Sequence, residues 1–150
     1  MENLSLKNEM EKRLDFFKQE CRKHHLRVTN QRLEIFKTVA QSCAHPSAEK
    51  VFESVRKKLP NVSLDTVYRT LASLEEMDLL FRVGMLNHAR FDADLRPHYH
   101  FVCMQCGEVY DIFPEENGEI LFPRLENLGT VKNISLQFRG ICKNCKSAKK

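Results

Sequence analysis

Two pairs of cysteines, Cys103-Met104-Gln105-Cys106 and Cys142-Lys143-Asn144-Cys145, each set two thiols three positions apart. One turn of that spacing presents two thiolates to a single ion, and two such turns supply the four sulfurs of a tetrahedral zinc. Four sulfurs leave no open coordination position, so the chemistry is structural rather than catalytic. Gly107 directly follows the first pair, as a tight knuckle requires. The competing reading is a redox C-x-x-C beside two incidental thiols. With 35 residues between Cys106 and Cys142, the spacing exceeds that of a compact ribbon. It suits a zinc that ties the end of a last strand to a first hairpin.

His98 and His100 stand at i and i+2 in a strand-like segment, so both imidazoles point to one side. Asp92, shortly before them, and Asp111, on the strand after the cysteine turn, are carboxylates able to fold back to the same point. Imidazoles and carboxylates without thiolate suit Fe²⁺ or Mn²⁺ as well as Zn²⁺. The plainer alternative is a pair of exposed strand histidines and two ion-paired acids. His45, before Pro46, reads from spacing alone as a surface or capping residue. Cys21 falls on an apolar stripe and reads as a small core residue, and Cys43 lacks metal spacing.

The elements that must position these groups change period along the chain. Met10, Leu14, Phe17 and Cys21 recur at helical spacing, as do Leu33, Phe36, Val39 and Ala40 after the candidate cap Thr29. Ser47 caps a third helix carrying Ala48, Val51, Phe52, Val55 and Leu59, and Ser63 a fourth with Leu64, Val67, Leu71 and Leu74 inward. Phe81-Arg82-Val83, a turn near Gly84, and Ala89-Arg90-Phe91 predict a hairpin. Helices followed by a hairpin make a winged-helix domain over residues 1–91, and residues 92–97 read as a linker. From 98 to 150 the period nears two, with strands at His98–Val102, at Glu108–Ile112 and through Ile134, Leu136 and Phe138. A helix is expected between them from near Pro123, after the break at Gly118. The fold class is α+β: a winged helix, then a small α/β dimerisation domain with structural zinc.

On the fourth helix Thr66, Arg69, Thr70 and Ser73 lie opposite the apolar stripe, with Tyr68 on its flank. Such a face can enter a major groove, Tyr68 packing on thymine methyls and Arg69 meeting phosphate or guanine. The alternative is a solvated helix face. Net charge is +4, and the excess is confined to residues 1–90, with 16 Lys and Arg against 12 Asp and Glu. That bias suits a phosphate-facing surface. No apolar run approaches the roughly 20 residues that span a bilayer. The N-terminal residues lack the apolar core of a signal peptide, so a cytoplasmic chain with free thiols is expected.

Leu26-Arg27-Val28-Thr29-Asn30-Gln31-Arg32, Ala44-His45-Pro46-Ser47-Ala48, Ser63-Leu64-Asp65-Thr66-Val67-Tyr68-Arg69-Thr70-Leu71 and His98-Tyr99-His100-Phe101-Val102-Cys103 through Gly107 resemble, in order, signature segments of the ferric uptake regulator (Fur) superfamily. The resemblance runs from about residue 20 to Cys145. It implies a homodimer binding a palindromic operator in double-stranded DNA, with Cys103, Cys106, Cys142 and Cys145 as structural zinc ligands. It also implies a regulatory Fe²⁺ or Mn²⁺ site made by His45, Asp92, His98, His100 and Asp111, and a minor-groove contact for Arg27 beside the groove contacts of Thr66, Tyr68 and Arg69. Asp111, where the iron-uptake branch usually has Glu, is similar to the peroxide-sensing PerR branch. In that branch Fe²⁺ and peroxide oxidise ligand histidines, which by resemblance are His45 and His98. Within the superfamily the rival is an iron- or zinc-uptake repressor that senses metal availability. Outside it stand a mononuclear metalloenzyme and a purely structural zinc-ribbon protein. An enzyme is not expected, because the chain has no H-E-x-x-H, nucleophile elbow or phosphate loop.

Overall fold

The computed structural model describes residues 2–85, 89–114, 128–130 and 134–148, with side chains from residue 8 onward. The chain forms two compact units, Met1–Leu95 and Arg96–Lys150.

The first unit is a winged helix, built from α1 (Glu2–Lys23), α2 (Asn30–Ala40), α3 (Ala48–Arg56), α4 (Leu64–Glu76), β1 (Phe81–Val83) and β2 (Arg90–Asp92). Three helices start where a hydroxyl can satisfy an orphan backbone N–H: Thr29 accepts from Arg32, Ser47 from Lys50 and Ser63 from Thr66. α4 ends with Leu79 N–H donating to Leu74 O across a left-handed Asp78 (φ 54). That turn, usually made by glycine, stops the helix and delivers the buried Leu79 and Leu80 into β1. The strands pair antiparallel with Arg82 opposite Phe91.

The core joins Phe17 and Cys21 of α1 to Ile35, Phe36 and Val39 of α2, Val51 and Val55 of α3, Val67, Leu71 and Leu74 of α4, and Phe91 of the wing. Phe17 and Phe36 stack with ring centroids 4.8 Å apart. Cys21 is the core residue its stripe predicts. The apolar period misplaces three positions. Ile35, outside the expected stripe of α2, is fully buried, whereas Leu64, expected inward, is exposed. Thr70, expected on the exposed face of α4, is buried. α2 is packed from more than one direction, so its buried arc is wider than one stripe. Leu64, in the first turn of α4, lies at the margin of the packed surface.

The second unit is a three-stranded sheet in the order β4-β3-β5, with β3 (Tyr99–Cys103) central, β4 (Val109–Ile112) antiparallel to it and β5 (Gln137–Gly140) parallel. A parallel partner needs a long crossover, which the stretch between β4 and β5 provides. The helix expected near Gly118 and Pro123 lies outside the described residues. The third strand is shorter and later than its alternation predicts: Ile134 and Leu136 precede it, although Leu136 O still accepts from His100 N. At Gly140 an added Cβ would lie 3.0 Å from the Phe101 ring, so the two strands pass there at glycine distance. A short α5 (Lys143–Ser147) closes the unit. No described helix is long and apolar enough to cross a membrane.

Truncating Phe36 to Ala removes the ring stacked on Phe17. It should destabilise the first unit by about 3–5 kcal/mol, read as a lower urea midpoint at unchanged slope; an unmoved midpoint would exclude this pair as a core contact.

Candidate metal centres and reading helix

The four cysteines come together in the second unit. Cys103 ends β3, Cys106 lies in the turn to β4, and Cys142 and Cys145 begin and occupy α5. Gly107 closes the knuckle with φ +73, and its N–H donates to Cys103 O at 2.9 Å. A side chain there would be strained. One sulfur from each residue lies within 4.8 Å of the others, and Cys106 Sγ is 3.8 Å from Cys142 Sγ. Sulfurs about 2.3 Å from a tetrahedral zinc are about 3.8 Å apart, so the spacing fits. Cys142 N–H donates to Cys103 Sγ at 3.3 Å and Cys145 N–H to Cys142 Sγ at 3.5 Å.

These donors divide the four thiols. Backbone N–H groups of Cys106 and Cys142 pull Cys103 down to about 6, and the N–H of Cys145 lowers Cys142. Cys145 is pushed up to about 12 by its hydrogen bond with Cys142, with burial adding to it. Without a cation, then, some of the sulfurs keep their protons. A bound dication would favour four thiolates.

Around the start of the same strand, with His98 just before it, His100 within it and Asp111 on the paired β4, a second donor set converges. His98 Nε2 is 3.0 Å from His100 Nε2, and each is 3.5 Å from Asp111 Oδ1. Strand register makes this possible, because His100 pairs directly with Asp111. His98 Nδ1 lies 2.7 Å from Arg96 O. Donation to that carbonyl leaves the Nε2 lone pair for a metal, the usual orienting device for a ligating imidazole. Two nitrogens each about 2.1 Å from one ion can be as close as these two are. Phe113 stacks on His98 with centroids 5.2 Å apart, and Arg96 covers Phe113 from 4.8 Å.

In the first unit, His45 and Asp92 form a buried pair, His45 Nε2 standing 3.9 Å from Asp92 Oδ2. His45 has φ 46 immediately before Pro46, a left-handed backbone that costs a non-glycine residue about 1–3 kcal/mol. The wing holds it there: Phe91 N–H donates to Pro46 O at 3.0 Å, and Arg90 reaches His45 O at 3.5 Å. Asp92, expected at the start of a linker, closes β2. Its Oδ1 accepts from Asp94 N, and Arg13 of α1 pairs with Asp94 at 3.2 Å. Nothing in the spacing of Arg13 and Asp94 announces that contact.

The exposed face of α4 differs from its expected composition. Tyr68 and Arg69 are exposed, Thr66 and Ser73 are half-buried, with the Thr66 hydroxyl 2.8 Å from that of Ser63, and only Thr70 is buried. Two acids belong to this face. Asp65 Oδ2 lies 2.8 Å from Arg69 Nη2, and the Tyr68 hydroxyl donates to Glu49 of α3. The Asp65–Arg69 contact was legible as an i,i+4 pair; Glu49, on another helix, was not. Arg27 is exposed before α2, its carbonyl accepting from Arg32 at 2.7 Å.

The model of the ferric uptake regulator family matches residues 23–138. The peroxide-responsive repressor PerR of Staphylococcus epidermidis is 29% identical over 128 residues, covering 83% of this chain and 85% of the relative. The crystal structure of the Campylobacter jejuni peroxide stress regulator is 30% identical, covers 85% of this chain and 97% of its own, and superposes with a TM-score of 0.64. The Helicobacter pylori ferric uptake regulator, described as having three functional metal-binding sites, shares the fold: TM-score 0.69 at 24% identity, over 91% of this chain and 93% of that one.

Replacing Cys142 with Ser removes one of the four sulfurs. Metal analysis should show bound zinc falling from about one per chain to a small fraction of that, with loss of amide-exchange protection in β3–β5 and unchanged protection in the helices. Full zinc and unchanged exchange would contradict a four-sulfur site.

Proposed function

The chain belongs to the ferric uptake regulator family, and from that premise we propose that it is a cytoplasmic, homodimeric, metal-dependent repressor that releases its operator when peroxide oxidises a metal-binding histidine. The observation that carries this reading is the convergence of His98, His100 and Asp111 at one point, a thiolate-free set of nitrogen and oxygen donors beside a separate four-sulfur cluster. Two kinds of site in one unit suit two metals with different work. The sulfur cluster would hold zinc permanently. The imidazole and carboxylate set would hold Fe²⁺ or Mn²⁺ reversibly.

In this reading His45 and Asp92 of the first unit complete the ligand set of the second, so that one ion joins the reading helix to the dimerising unit. The strained backbone of His45 supports such a role, since strain of that size is kept where a side chain must be aimed. Binding then acts as a population shift: the ion must favour the DNA-competent arrangement over others by several kcal/mol to switch it on. In that arrangement Arg69 and Tyr68 would lie in the major groove, Thr66 would stand beside them at the start of α4, and Arg27 would lie in the neighbouring minor groove. The two reading helices of a dimer would meet the two halves of a palindrome. A cross-strand row of Tyr110, Phe101 and Phe138, with Ile141 beside it, gives the described part of the sheet an apolar face suited to a second copy.

Two observations favour peroxide over metal availability as the signal. By the resemblance drawn from the sequence, Asp111 stands where the peroxide-sensing branch has Asp, and the peroxide-responsive relatives match over most of both chains. His98, His100 and Asp111 would hold a ferrous ion whose chemistry is to activate peroxide, the two electrons that reduce it coming in the end from the imidazole. In the net change one imidazole C–H of His45 or His98 gains an oxygen atom, and the second peroxide oxygen leaves as water. The oxidised ring is a poorer donor, and the two units lose their shared tie.

Anaerobically prepared Fe²⁺ and Mn²⁺ forms, each titrated with a duplex enriched from a random-sequence pool, test this before and after brief low-level peroxide. The Fe²⁺ form alone should release DNA and gain one oxygen on His45 or His98 by peptide mass analysis. If both forms keep DNA and no histidine is oxidised, the protein is a repressor that senses metal availability.

A further inference from the structure

Two of the side chains expected to read DNA, Arg69 and Tyr68, are each engaged by an acid of the protein itself. Asp65 lies one turn before Arg69 on α4, 2.8 Å from its guanidinium, and both are largely exposed. Glu49 on α3 accepts from the Tyr68 hydroxyl. A carboxylate on a helix face that meets DNA is repelled by the phosphates, and so lowers affinity for DNA of any sequence. Stability is a weak reason for its presence, because an exposed i,i+4 pair contributes little. What the pair does change is the arginine. A guanidinium matched by a carboxylate has less to gain from a phosphate, and its planar fork is restrained in direction. Guanine offers two acceptors, O6 and N7, that reward fixed planar donors.

We propose that Asp65 is a specificity-determining residue: it holds Arg69 for a guanine edge in the major groove and suppresses its use as a phosphate contact. Glu49 acts in the same sense on Tyr68. The hydroxyl's proton is already donated, so the ring is the part that faces the groove, and an apolar ring suits a thymine methyl. The inference rests on α4 being the reading helix.

The test uses the full-length Mn²⁺-loaded protein and its Asp65→Asn variant, which keeps the side-chain shape and removes the charge. Each selects duplexes from a random-sequence pool, and each is titrated with its enriched duplex and with mixed-sequence DNA across a salt series. The unaltered protein should enrich one guanine in each half-site. Asp65→Asn should lose preference at that position alone, bind mixed-sequence DNA about 3- to 10-fold tighter, and show a salt dependence steeper by about one phosphate contact. Unchanged far-UV circular dichroism and zinc content keep the comparison valid at this exposed position. If Asp65→Asn enriches the same guanine as strongly, with the same salt dependence, the proposal is overturned while the reading helix stands. If the unaltered protein enriches no sequence, the reading of α4 fails and the proposal falls with it.

Discussion

The register of β3 is the constraint on which the second unit depends. His98 stands just before this five-residue strand, His100 lies within it and Cys103 ends it, so one strand serves both donor clusters. His100 faces Asp111 only because β4 pairs with β3 in this register. A slip of one residue would turn Asp111 to the opposite face of the sheet and dissolve the nitrogen and oxygen site. The sulfur end of the strand resists that slip. The Gly107 knuckle ties β3 to β4, Met104 N–H donates to Gly140 O at the end of β5, and Cys142 N–H donates to Cys103 Sγ. Zinc held by the four sulfurs would fasten both neighbours of β3 at once. The sulfur cluster would thereby help to set the geometry of the nitrogen and oxygen set on the same strand.

The same division of labour explains what could be read from sequence. The C-x-x-C pairs, the i,i+2 histidines and the hydroxyl caps depend on local spacing, and the structure places all of them as spacing requires. His45 could not be found that way. Its place follows from a left-handed backbone before proline and from contacts with a strand 45 residues later, neither of which leaves a periodic trace. The errors on α2 and α4 have a related cause. A single apolar stripe describes a helix packed on one side, and neither Ile35 nor Thr70 lies in the stripe although both are buried by neighbouring elements. α5 was invisible because five residues carry no period, and its cap is a cysteine sulfur rather than a hydroxyl.

Charge on the proposed DNA-reading surface is likewise less simple than its count. The first 90 residues carry a basic excess, yet α4 itself brings Asp65 to its exposed face and α3 brings Glu49. Bulk positive charge draws a protein to DNA of any sequence. Acids beside the proposed reading groups would work against that general attraction and leave geometry to decide between sequences. On the proposed reading, affinity and discrimination would fall to different parts of the first unit, with the metal deciding whether either is used.

The central claim, that one ion draws ligands from both units, is tested most directly by Mn²⁺ titration of the zinc-loaded protein against its His45→Ala variant. His45 is remote in sequence from every donor of the second unit. The account predicts one regulatory Mn²⁺ per chain in the unaltered protein, an affinity at least about tenfold lower in the variant, and unchanged zinc in both. Equal Mn²⁺ affinity in the two proteins would contradict it, because the ion would then be held by His98, His100 and Asp111 without help from the DNA-binding unit.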